Sequence, residues 1–183
     1  MIADARARWA GRAVMAVAAL ALAINTVWIV RHLDWLRPLE AGQAAPSLDL
    51  PHIDARGGLA LERVTLDDRR GTIVVVEFWA TWCGPCLQAL PAIDRAARGW
   101  GSAVEVLAVN VDDAAKARAL FDAKGWGLTL VADAGDAADR YGVQSLPHTV
   151  VIDRAGIVRL VVRGRRSGAV EAAVDRLLAE PAR

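Results

Sequence analysis

Cysteine is almost absent from this chain of 183 residues: there are two, Cys83 and Cys86, three positions apart. So short a loop staples nothing distant, which excludes a structural disulfide framework and leaves the thiols as chemistry. Histidine is nearly as scarce, with only His32, His52 and His148. Tetrahedral zinc needs more Cys or His ligands than a lone C-x-x-C provides, so a metal site is the poorer reading of the pair and none is expected. Ten aromatic residues and a formal net charge of +1 leave neither stacking platforms nor a basic stripe for nucleic acid, and no nucleic-acid partner is expected. The chain is rich in alanine and arginine but has no internal repeat and no low-complexity tract.

What it has is apolar content. Hydrophobic residues make up 55% of the sequence, enough for a core in one domain with an appendage. Residues 13–30, AVMAVAALALAINTVWIV, carry no charge and as a helix would span roughly 27 Å, close to the thickness of a bilayer core. Arg6, Arg8 and Arg12 precede this run with only Asp4 against them, whereas Arg31 and Arg37 follow it alongside Asp34 and Glu40. The positive-inside rule then places residues 1–12 in the cytoplasm and everything after Val30 outside, as in a single-pass membrane protein. A cleaved signal peptide competes, through the small-x-small sites at Ala19–Ala21 and Ala21–Ala23. The apolar run continues past both, which favours an uncleaved signal-anchor. Residues 31–45 read as a stalk, because Pro38, Gly42, Gln43 and the following Pro46 break any periodicity. The folded domain is then 46–183.

Within it, Ser47–Ile53 and Leu59–Leu66 read as a hairpin around Ala55-Arg56-Gly57-Gly58. Further strands are expected at Thr72–Phe78, Ala103–Val109, Leu128–Ala132, Thr149–Asp153 and Ile157–Arg163, with helices after Cys86, at Asp113–Ala123, Asp136–Tyr141 and Ser167–Ala179. Asp113 is the expected N-cap and Gly125 the expected C-terminal glycine of one helix. The alternation predicts an α/β layer structure, one sheet with a parallel portion and an antiparallel end and helices on both faces.

The segment that the rest is organised around is Glu77-Phe78-Trp79-Ala80-Thr81-Trp82-Cys83-Gly84-Pro85-Cys86. A buried β pattern precedes the first cysteine. A helical one follows, with Leu87, Leu90, Ile93 and Ala97 on one stripe and Pro85 in the first turn, where proline is tolerated. The thiols therefore sit at a helix N-terminus, whose free N–H groups and partial positive charge favour thiolate over thiol. Cys83 is the candidate nucleophile and Cys86, one turn inside, the resolving thiol.

These residues carry a family resemblance. FWATWCGPC, Pro91 five residues after Cys86, Leu146-Pro147 before a strand and Gly156 in the following turn resemble the thioredoxin fold. The anchor, the hairpin with its APSLDL start and the segment Asp113–Gly142 between strands resemble its membrane-anchored TlpA/ResA branch. The resemblance implies that Cys83 and Cys86 cycle between dithiol and disulfide with no other cofactor. It implies a substrate surface formed by Trp82, Gly84, Pro85, Leu146, Pro147 and His148, with Pro147 in cis and Pro91 kinking the redox helix. Thioredoxins keep a buried acid at the position of Glu77, so Glu77 is the candidate acceptor of the Cys86 proton, the bland alternative being an exposed or arginine-paired side chain.

Two departures stand out. The acid that ResA-type proteins place three residues after the second cysteine is Ala89 here, which moves the proton-transfer role onto Glu77. The threonine usual after the cis-proline is His148, which could stabilise the Cys83 thiolate or simply be a partly exposed polar residue. The cluster Arg163, Arg165 and Arg166 reads more readily as a solvated loop than as a dock for an acidic partner, and Trp100 and Trp126 read as packing.

By resemblance the expected activity is a periplasm-facing thiol:disulfide oxidoreductase working as a reductase of a protein disulfide. The implied substrate is apocytochrome c or a copper-binding oxidase-assembly factor, and the implied electron donor a DsbD- or CcdA-like membrane protein. A disulfide-forming oxidase and a thiol-based metal or haem chaperone are the alternatives, and a peroxidase is a weak one.

Overall fold

The computed structural model describes residues 15–29, 38–133 and 135–181. They fall into two units, divided after Pro38. In the first, residues 15–29 form a helix, α1, along which apolar side chains such as Leu20, Leu22 and Ile24 stand exposed. Among the described residues no helix is long and apolar enough to cross a membrane. Residues 13, 14 and 30 of the expected anchor, and 31–37 of the expected stalk, lie outside the described residues.

The second unit runs β1 (Asp49–Ile53), β2 (Leu59–Thr65), β3 (Ile73–Trp79), α2 (Gly84–Trp100), β4 (Val104–Asn110), α3 (Ala114–Lys124), β5 (Thr129–Ala132), α4 (Ala137–Arg140), β6 (His148–Ile152), β7 (Val158–Arg163) and α5 (Ser167–Ala179). Every expected element is present within a residue or two of its expected ends. The strands form one sheet in the order β2-β1-β5-β4-β3-β6-β7. β3, β4 and β5 are parallel, whereas β1 pairs antiparallel with both β2 and β5, and β6 with both β3 and β7. The sheet is therefore mixed, as the pattern predicts.

β3 lies near the middle and all seven of its residues are buried. Alternation splits them between two cores. Ile73, Val75 and Trp79 join Cys86, Leu90 and Ile93 of α2, Phe121 of α3 and Val170, Val174 and Leu177 of α5. Val74, Val76 and Phe78 join Leu48, Leu50, Ala137 and Tyr141 on the other face. Trp79 packs at 5.3 Å on Phe121 and Trp126 meets Phe121 edge-on at 5.1 Å, so Trp126 is core packing. Trp100 is tied down at the end of α2, its indole N–H donating to Asp175 at 3.1 Å.

Local signals act where expected. Asp113 accepts from the Lys116 N–H at 3.0 Å and caps α3, and Gly125 closes it in the left-handed conformation with φ 63°. In the β1–β2 turn Asp54 accepts from the N–H groups of Arg56 and Gly58 at 2.8 and 2.9 Å. Gly57 there has φ 77°, and a Cβ would come within 2.6 Å of the Ala115 backbone. Only glycine fits that turn against α3.

One boundary moves. Residues 39–45, expected in the stalk, belong to the folded unit. Leu39 is 6% exposed, and the segment runs beside the β6–β7 turn through Gly42 N–H to Val158 O at 2.8 Å, Val158 N–H to Gln43 O at 2.9 Å and Ala45 N–H to Gly156 O at 2.9 Å. The Tyr141 hydroxyl donates to Pro46 O at 2.8 Å and pins the next residue. Proline and glycine broke the sequence periodicity because this edge is held by backbone pairing rather than by an apolar stripe. Leu39→Ala should lower stability by about 2–3 kcal/mol through loss of that buried side chain, read as the urea midpoint; a change under about 0.5 kcal/mol would mean the segment is not docked in solution.

Candidate functional site

The carboxyl end of β3 delivers the chain to Ala80, and the next turn opens α2. Cys83 is the N-cap of that helix, and its Sγ accepts the Cys86 N–H at 3.2 Å. Cys83 and Cys86 are joined in a disulfide. Cys83 is 4% exposed and Cys86 0%, so of the two only the first keeps surface in the oxidised state. Once the bond is reduced, the same N–H and the helix dipole act on the Cys83 sulfur, stabilising its thiolate. Pro85 stands in the first turn and Pro91 inside the helix, where its missing N–H leaves the Leu87 carbonyl without a helical donor.

Register brings two further segments to the same end of the sheet. β4 is parallel to β3 with Trp79 opposite Asn110. β6 is antiparallel with Phe78 opposite His148, so the start of β6 lies beside the end of β3. The Leu146–Pro147 bond just before it is cis. Leu146 is half-buried and packs on the core cluster that contains both cysteines. Trp82 is 73% exposed, Gly84 and Pro85 are also exposed, and Pro147 is buried. An exposed indole beside a cis-proline segment makes a surface on which an extended peptide can lie.

From the β4 side comes a clamp that sequence reasoning missed. The Asp112 carboxylate accepts from the Thr81 N–H at 3.1 Å, from the Thr81 hydroxyl and from the Asn110 side-chain amide. Asp112 N–H returns to Asn110 Oδ1 at 3.3 Å, and Val111 N–H donates to Trp79 O at 3.0 Å. The loop bearing Trp82 and Cys83 is thus fixed two residues upstream of Cys83. Asn110 ending a buried strand, with Asp112 two residues on, was the available signal.

Glu77 is 0% exposed. By alternation it shares the face of Val75 and Trp79, the face that packs on α2, and lies between them. The Thr149 hydroxyl, on the directly paired position of β6, donates to its Oε2, and Oε1 has no partner. Burial raises its pKa to about 7, against a smaller lowering by the Thr149 bond. The alternatives of an exposed face or an arginine pair are therefore not what the structure contains. A buried carboxyl that is half ionised near neutrality is a competent proton acceptor.

His148 is a correction on two counts. It is neither partly exposed nor turned toward the disulfide. It is 0% exposed and packs edge-on against Phe78 at 6.1 Å, on the sheet face opposite Glu77. Neither ring nitrogen has a hydrogen-bond partner. Burial lowers its pKa to about 4, with a smaller push from the Arg163 charge. The ring is neutral at ordinary pH and makes no hydrogen bond to either cysteine. The physical reason is parity: the first residue after the cis-proline pairs with Phe78, and so inherits the Phe78 face. Among the described residues, no group of three His, Cys, Asp or Glu could hold a metal ion.

A family model described as AhpC/TSA family matches residues 41–161. Thiol-disulfide oxidoreductase ResA of Bacillus subtilis is 34% identical over 130 residues, covering 69% of each chain. The thiol:disulfide interchange protein DsbE of Pseudomonas aeruginosa is 31% identical over 149 residues, covering 77% of this chain and 78% of its own length. The crystal structure of a thiol:disulfide interchange protein DsbE from Chlorobium tepidum superposes with a TM-score of 0.66 at 32% identity, over 77% of this chain and 97% of that one.

The two buried groups make opposite demands on pH. Folding raises the Glu77 pKa from 4.5 to about 7, so its contribution is complete below 4.5 and is lost as pH rises through 7. Folding lowers the His148 pKa from 6.5 to about 4, so its contribution is complete above 6.5 and is lost as pH falls through 4. Relative to the parent, oxidised Glu77→Gln should gain roughly 3 kcal/mol between acid and mildly alkaline pH, and His148→Phe should flatten the loss below pH 6.5. Parallel urea profiles for parent and Gln variant across that range would contradict the burial assigned to Glu77.

Proposed function

The chain belongs to the AhpC/TSA family and is a thioredoxin-like thiol-disulfide oxidoreductase; from that premise we propose that it works as a reductase of protein disulfides, held at the inner membrane with its folded unit in the periplasm or on the outer face. The observation that carries the reading is the Cys83–Cys86 disulfide at the N-terminus of α2, with the Cys86 N–H on the Cys83 sulfur. The Gly84-Pro85 dipeptide supports the reducing direction, by resemblance to reductases of this fold. The charge-free run at 13–30 and the arginines before it support the anchor and its orientation.

The reaction balances as two exchanges. The Cys83 thiolate attacks one sulfur of the substrate disulfide, that S–S bond breaks, and the other substrate sulfur leaves as a thiolate that takes up a proton. Cys86 then gives its proton to Glu77 and attacks Cys83 Sγ. The Cys83–Cys86 bond forms, the mixed disulfide breaks and the second substrate thiol is released. Two electrons have passed from the dithiol to the substrate. The periplasm is kept oxidising, so the dithiol must be restored from across the membrane, and a DsbD- or CcdA-like electron donor fits that requirement. Apocytochrome c before haem attachment, or a copper-binding oxidase-assembly factor, is the substrate that the ResA and DsbE likeness favours.

Cys86→Ala should freeze the first exchange and accumulate a mixed disulfide through Cys83, identified after non-reducing separation, while Cys83→Ala accumulates none. Capture by Cys83→Ala in place of Cys86→Ala would reverse the assignment. With Glu77 as proton acceptor, the resolving step should accelerate as pH rises through about 7. Glu77→Gln should slow that step by about 10²-fold at neutral pH and leave the first attack unaltered. Equal resolving rates in rapid-quench measurements would remove Glu77 from the proton path.

A further inference from the structure

Three exposed arginines stand at the end of β7 and on the loop that leaves it, and the fold carries that loop to the cis-proline segment and the redox helix. β7 runs antiparallel to β6 with Arg163 opposite His148, so the end of β7 lies beside the cis-proline segment. Gly164 N–H donates to Pro147 O at 2.8 Å. On the other side the Arg165 guanidinium donates to Gln88 Oε1, and Gln88 is an exposed residue in the second turn of α2. The sequence Arg163-Gly164-Arg165-Arg166 therefore bridges the cis-proline segment and the redox helix.

The charge there is uncompensated. Among the described residues none of the three arginines is ion-paired to a carboxylate. Thr81 to Ile93 and Val143 to Thr149 contain no acid. Asp94, which follows Ile93 on α2, accepts from Arg98 at 2.7 Å and from Gly127 N–H at 2.8 Å, and Asp112, which clamps Thr81, is filled by Thr81 and Asn110.

We infer that this arginine loop selects disulfide partners that carry Asp or Glu beside the cystine they present to Cys83. The inference rests on the reductase reading and specifies its substrate class. A peptide lying across the exposed Trp82 indole and beside the Leu146–Pro147 segment brings the residues next to its disulfide toward the loop. Solvent-exposed charges give little affinity each, but three of one sign beside a site raise encounter rates and lose that effect in salt. The preference therefore belongs to kcat/KM.

The test uses the full-length reduced chain in detergent and three short synthetic peptides, each with one disulfide flanked by Glu, Ser or Lys. At low ionic strength the Glu peptide should exceed the Lys peptide in kcat/KM by about tenfold, and the ratio should fall toward one at high salt. Because the ratio is taken within one sample, it does not depend on the folded fraction. It should collapse in the Arg163→Ser/Arg165→Ser/Arg166→Ser triple variant, fall partway in Arg166→Ser, and persist in Arg56→Ser, which removes an exposed charge from the β1–β2 turn, at the opposite edge of the sheet from β7. Equal kcat/KM for the three peptides, or a ratio that survives the triple variant, overturns the inference while leaving the reductase reading intact. So does finding that the loop's arginines govern only binding to anionic vesicles. No reduction of any peptide, the Ser peptide included, overturns the reductase reading and this inference with it.

Discussion

The constraint on which this molecule turns is that β3 is enclosed on every side. It is paired on both edges and covered on both faces, and each of its seven residues is buried. Such a strand can end only where the sheet ends, and whatever follows it must emerge there. Its neighbours run in opposite senses, β4 parallel and β6 antiparallel. One therefore finishes, and the other begins, at the point where β3 releases the chain. That is why Asp112 and cis-Pro147, far apart in sequence, both flank the turn that carries Trp82 and Cys83. The redox pair itself is a local feature of a helix N-terminus, but its setting is a consequence of strand direction.

The same strand explains how two titratable side chains can be buried close together without acting on each other. Glu77 and His148 occupy neighbouring rungs of the β3–β6 ladder, Glu77 opposite Thr149 and Phe78 opposite His148. One rung is one change of face. Glu77 turns toward α2, where the Thr149 hydroxyl satisfies one oxygen and the other is left free to take a proton. His148 turns toward Phe78, where neither ring nitrogen has a hydrogen-bond partner and the Arg163 charge further disfavours protonation. Burial disfavours the charged form of both, leaving the imidazole neutral and the carboxyl half ionised near neutrality, yet only the carboxyl is placed on the face that packs on α2. Distance in sequence from the cis-proline was a poor guide to function for His148; parity on the strand is the better one.

How much of this was legible from the chain follows from how local each feature is. The C-x-x-C at a strand-to-helix junction, the Asp113 cap, the Gly125 stop and the run of strands depend on a few adjacent residues, and the sequence pattern carries them. The buried acid was legible because Glu77 interrupts a run of β-branched and aromatic residues. The Asp112 clamp was not, since it requires knowing that Asn110 lies opposite Trp79. Nor was the docking of Leu39 and residues 42–45, which depends on backbone pairing with Gly156 and Val158 and has no apolar stripe to announce it. The Arg163–Arg166 loop looked like an ordinary solvated turn until the β6–β7 pairing put it beside Pro147. In each case the missing information was register between segments distant in sequence.

That division bears on where specificity resides. The redox pair and the buried acid lie within ten residues, Glu77 to Cys86, and a helix N-terminus favours a thiolate whatever disulfide arrives. Under the proposed reading, deciding which disulfide arrives falls to the segments that only the sheet assembles: the exposed indole of Trp82, the cis-proline segment and the end of β7. Of these, the first two offer shape and backbone, which every extended peptide can match. The β7 loop alone offers charge, and of one sign. A partner can therefore be distinguished at this surface chiefly by what it carries next to its cystine, and the arginines supply the term that shape and backbone leave open.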